Sequence, residues 1–63
     1  MIIIDTASPS GNAFAIMAIV RKALREMNLS HQWEETQTRM MSGDYENLKE
    51  IATKVTNGGI KFI

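Results

Sequence analysis

The chain has 63 residues, 44% of them hydrophobic, and seven Lys and Arg balance seven Asp and Glu. That apolar fraction is too high for intrinsic disorder, and a neutral balance gives no general pull toward nucleic acid or anionic lipid. Cysteine is absent and His31 is the single histidine, which excludes disulfides and thiolate zinc sites.

One domain is all that this length allows, and folds of this size usually rely on a disulfide, a metal or a partner subunit. With the first two set aside, a homo-oligomer is the expected solution. The longest apolar run, Ala13 to Val20, is far short of the roughly 20 residues a membrane span needs. Met1-Ile2-Ile3-Ile4 has no basic region before it and does not read as a signal peptide, so the expected setting is cytoplasmic.

Ile2 to Ile4 are β-branched and uninterrupted, which predicts a short strand covered on both faces. Asp5 to Gly11 reads as a loop into a helix. Ser8 fits the N-cap with Pro9 at the first helical position, and Ser10 is the alternative cap. The first helix is expected from about Pro9 to Met27. Its front half is apolar all round; its back half turns Arg21, Lys22, Arg25 and Glu26 out and Ala23, Leu24 and Met27 in. A helix apolar on every side needs cover on every side, more than 63 residues can provide alone.

Asn28-Leu29 ends that helix and Ser30 is placed to cap the next, about His31 to Met41, with Trp33, Met40 and Met41 as apolar anchors. Gly43 suits a left-handed position after the helix end, and Asp44 suits the following N-cap. Tyr45, Leu48, Ile51, Ala52 and Val55 form one stripe of a third helix, Tyr45 to about Thr56, which Asn57-Gly58-Gly59 terminates. Ile60 to Ile63 alternates as a half-covered strand. The expectation is a small β-α-α-α-β domain of the α+β class. Three reversals return the second strand parallel to the first, and the sheet can extend across subunits.

The junction Asp5 to Asn12 is the best candidate site. A helix N-terminus offers free N–H groups and the positive end of the dipole, and Ser8, Ser10 and Asn12 add donors. Gly11, placed just inside the helix at a cost of about 1 kcal/mol against Ala, suggests close approach to the backbone. A phosphate fits there. The competing reading is that the serines merely cap and Gly11 packs against a neighbour. No Lys follows the glycine, so the motif is not a P-loop.

His31 with Glu34 or Glu35 has metal-ligand spacing but lacks further ligands, so no metal is expected. Nothing in the spacing brings Ser8 or Ser10 to His31, so no enzyme and no cofactor are expected. Arg21, Lys22 and Arg25 form a basic face that can serve a neighbouring copy's junction. The second and third helices also read as a helix-turn-helix, yet Glu46 and Glu50 beside Lys49 and Lys54 make a poor recognition surface. DNA or RNA binding is not expected. Trp33 and Tyr45 can stack on a base or anchor the core.

Ser8-Pro9-Ser10-Gly11-Asn12-Ala13 before an apolar helix, and Met41-Ser42-Gly43-Asp44-Tyr45-Glu46-Asn47-Leu48, resemble small proteins of tailed bacteriophages. The resemblance covers most of the chain; the second helix and the Asn57-to-Ile60 segment depart from it. It implies an accessory factor acting on the host, including anti-defence proteins that sequester a nucleotide signal. The expected function is a non-enzymatic oligomer holding a phosphate-bearing nucleotide through Ser8, Ser10, Gly11 and Asn12, with Arg21 or Arg25 neutralising charge and Trp33 or Tyr45 stacking. The alternative is a protein–protein inhibitor or assembly module that docks an apolar helix face.

Overall fold

The β-branched run near residue 3 and the alternating tetrapeptide near residue 61 each form a strand, and three amphipathic segments between them form helices. A computed structural model describes residues 1–63. Strand β1 is Ile2–Ile4, helices α1, α2 and α3 are Ala13–Glu26, Trp33–Met41 and Tyr45–Val55, and strand β2 is Ile60–Phe62. Short 3-10 turns, Pro9–Gly11 and Ser30–Gln32, precede α1 and α2. The strands pair in parallel, with Ile2 opposite Ile60, Ile3 opposite Lys61 and Ile4 opposite Phe62. This is the β-α-α-α-β arrangement read from the sequence. No helix is long and apolar enough to cross a membrane.

The core lies between α1, α2 and α3, where the sheet closes on them. It contains Ile4, Ile16, Met17, Val20, Leu24, Met40, Leu48, Ile51, Ala52 and Ile60. Burying each large apolar side chain contributes about 1.5–3 kcal/mol. The polar groups caught inside are satisfied where they matter: the buried Thr56 hydroxyl donates to the Ala52 carbonyl at 2.7 Å.

Both long helices end in the same way. Beyond α1, Asn28 is left-handed at φ 62°, and the Leu29 N–H reaches the Leu24 carbonyl at 2.7 Å. Beyond α3, Asn57 is left-handed at φ 54°, and the Gly58 N–H reaches the Thr53 carbonyl at 2.9 Å. These are Schellman closures in which Asn tolerates the left-handed position.

Several expectations are corrected. Helix α1 begins at Ala13 rather than Pro9, because Asn12 is extended and its side chain accepts the Ala15 N–H. Neither Ser8 nor Ser10 caps α1. Ser30 does not cap α2, which has no side-chain cap. Gly43 is not left-handed; a Cβ there would sit 2.7 Å from the Asn47 side chain, so close approach explains it. The chain alone does not cover both faces of β1, since Ile4 is buried but Ile3 is 62% exposed. The front of α1 is better covered than its composition suggests. Ile16, Met17 and Val20 are buried within one chain, leaving Phe14 and Ala18 outside. Met27 and Met41, expected inside, are exposed.

Candidate functional site

The residues between β1 and α1 form a knot of local hydrogen bonds. Asp5 turns the chain by accepting the Ala7 N–H at 2.9 Å. The Ser8 hydroxyl donates to the Asp5 carbonyl and lies 2.7 Å from the Ser10 hydroxyl. Asn12 uses both ends of its amide, donating to the Pro9 carbonyl and accepting the Ala15 N–H, each at 2.8 Å. The Gly11 N–H is taken by the Ser8 carbonyl at 2.9 Å.

Gly11 closes the 3-10 turn instead of standing inside α1, and it is buried. A Cβ on it would lie 2.6 Å from Thr6 Cα and 2.7 Å from the Thr6 carbonyl oxygen. The close approach at this glycine is therefore made by the chain's own backbone. The Tyr45 hydroxyl, at the start of α3, donates to the Gly11 carbonyl and ties the turn to the helical body.

The structure thus brings Ser8, Ser10, Gly11, Asn12 and Tyr45 together, with their polar groups bonded to one another or to nearby backbone. It does not add the other candidates to that group. Arg21 and Arg25 are exposed on the back half of α1, and Trp33 packs half-buried against the core at the head of α2. None of the surface clefts is lined by Ser8, Ser10, Gly11 or Asn12. His31 and Glu35 share a polar cleft with Gln32, Thr36 and Arg39, and no three metal-binding side chains gather there or elsewhere.

Two apolar grooves stand out instead. One, of about 240 Å³, lies between the front of α1 and the α2–α3 turn, with Phe14, Met17, Met41 and Tyr45 in its wall. Phe14 is 79% exposed and Met41 63% exposed at its rim. The other, of about 620 Å³, lies between the back of α1 and the sheet. Ile19, Lys22, Ala23, Glu26 and Met27 line its helical side, and Met1 and Ile2 its strand side. The sequence reading placed Lys22 in a basic face with Arg21 and Arg25 and turned Glu26 outward, but it did not tie either to an apolar groove and did not single out Phe14. The spacing 19, 22, 23, 26, 27 does carry a signal: it is a second helical stripe beside the buried one at 16, 17, 20 and 24.

No protein-family model matches the chain, and no curated protein or solved structure is significantly similar to it. Its function is read from its own surface.

Proposed function

We propose that this chain is a small non-enzymatic interaction module that works as a homo-oligomer and docks the apolar face around Phe14 on a protein target. The observation that carries the reading is the Phe14 side chain. It stands 79% exposed in the first turn of α1, next to exposed Met41 and the ring of Tyr45. Aromatic and Met side chains are enriched at protein interfaces, and an adaptable Met beside a rigid ring suits a contact surface. A non-enzymatic role is supported by the serines, which bond each other and the Asp5 carbonyl rather than a base.

The test is site-specific photo-crosslinking in cells, with the reactive side chain at position 14 and, as control, at position 54 on the exposed side of α3. A discrete adduct with another protein from position 14, lost on Met41→Asp, is the expected result. Adducts of equal yield from both positions, or none from position 14, overturn the reading.

A second reading is sequestration of a phosphate-bearing nucleotide by an oligomeric accessory protein of tailed bacteriophages. One observation favours it: Arg21 and Arg25 are exposed one turn apart, and the single ion pair of the chain is Lys49–Glu46. Two unpaired guanidinium groups suit phosphate. On this reading Ser8, Ser10 and Asn12 give up internal hydrogen bonds to the ligand, and Trp33 or Tyr45 stacks on the base. Calorimetry against cyclic di- and oligonucleotides tests it. Heat that disappears in Arg21→Ala/Arg25→Ala supports it, and heat-silent titrations across the panel remove it.

A further inference from the structure

Helix α1 carries two apolar stripes, and one chain covers only the first. Ile16, Val20 and Leu24 are fully enclosed. Ile19, Ala23 and Met27, spaced by four residues, run along the adjacent side. Ile19 and Ala23 are only half-buried and Met27 is exposed. Together with Met1, 86% exposed, and Ile2, 40% exposed, they line the groove of about 620 Å³.

Lys22 and Glu26 flank this stripe one helical turn apart, and they form no ion pair with each other or with any other residue. The order explains why. A Lys one turn before a Glu has the less favourable side-chain geometry within a helix, and Glu26, in the last turn of α1, faces the negative end of the helix dipole. Both charges therefore remain available beside apolar surface, as at the flanks of a helix–helix seam.

We infer that this face is the self-association surface, and that its occupant is a second copy of the chain packed with its α1 antiparallel. The inference rests on the homo-oligomer reading above and names its interface. A two-fold axis passing beside α1, at the level of Ala23 and Leu24, brings Lys22 of each copy within reach of Glu26 of the other. One patch thus carries both halves of its own charge complement, as an isologous interface requires. The same operation sets Ile19 of each copy against Met27 of the other, brings the two Ala23 side chains together and covers the groove mouth. A stable interface takes about 800 Å² from each partner, roughly a fifth of the 4190 Å² this chain exposes.

The experiment is charge reversal read by sedimentation velocity and native mass spectrometry. The wild type is expected to be dimeric at micromolar concentration. Lys22→Glu and Glu26→Lys each replace two attractions by two repulsions, which weakens self-association by about tenfold or more. An equimolar mixture of the two variants is expected to form a heterodimer, because one copy then presents two acids and the other two bases. Both positions are exposed, so helix content and melting should match the wild type in dilute solution.

If the wild type self-associates and both reversals leave its mass and affinity unchanged, this face is wrong while the oligomer reading stands. If the wild type stays a single folded copy at millimolar concentration, both fall.

Discussion

The two ends of α1 use polar residues in opposite ways. At the front, Asp5, Ser8, Ser10 and Asn12 are dense in the sequence, but each side chain already makes at least one hydrogen bond within the turn. At the back, Lys22 and Glu26 are only two residues, yet neither has a partner and both border uncovered apolar surface. The comparison teaches that a cluster of polar side chains is informative only after its internal bonds are subtracted. What remains unmatched is where a second molecule can gain free energy.

Substitutions can break or sharpen this contrast. The largest effect is expected on the enclosed side of the back half. Leu24→Ala removes a fully buried side chain and should cost about 2–5 kcal/mol in chemical denaturation, whereas Met27→Ala on the open side should change the dilute protein by roughly 0.5 kcal/mol or less. Equal losses at both positions would show that the open stripe is covered within one chain.

Gly11→Ala comes next. Its methyl group would meet the Thr6 backbone, which cannot step aside as a side chain can, so a loss of about 1–3 kcal/mol is expected in thermal melts. A neutral outcome would mean that the turn is looser than its packing indicates. Asn12→Ala removes the cap of α1 and should cost about 1 kcal/mol, with a matching fall in the denaturation midpoint; Asn12→Asp should retain most of the stability. The smallest effect is expected for Ser10→Ala, whose hydroxyl bonds only another exposed hydroxyl. A change within about 0.5 kcal/mol is anticipated, and a loss as large as that of Asn12→Ala would mean that the turn depends on the serine pair.

Much of the architecture was legible because it depends on local spacing. The Leu48, Ile51, Ala52 stripe marked α3, Asp44 marked its cap, and Asn57 marked its end. Counting three helices between two strands was enough to give the parallel pairing. The start of α1 was not legible. Ser8 before Pro9 and Asn12 before Ala13 are both acceptable caps in the sequence. The choice falls to Asn12 because Gly11 must lie against Thr6, a contact made only once the chain folds back. Gly43 misled for a similar reason: its small size answers the Asn47 side chain, which sequence spacing does not reveal.

The candidate site was legible only as a list of polar residues. That Ser8, Ser10 and Asn12 bind inward, and that Tyr45 reaches the Gly11 carbonyl, follow from tertiary arrangement. Phe14 was hidden inside a run that reads as uniformly buried. Its position beyond the covered side of α1 appears only when the enclosed residues are known to be 16, 17, 20 and 24.

The pairing of β1 with β2 also sets a timetable. The hydroxyl of Thr6 bonds a carbonyl 57 residues away, so the sheet cannot close until the segment around Ile60 has left the ribosome. Helices can form early from neighbouring contacts, but Ile2–Ile4 must wait, a bare β-branched strand with both edges open. Synthesis that stalls before that point leaves this segment free to pair with other nascent chains, and slow elongation should therefore lower the yield of the native protein more than its equilibrium stability would suggest.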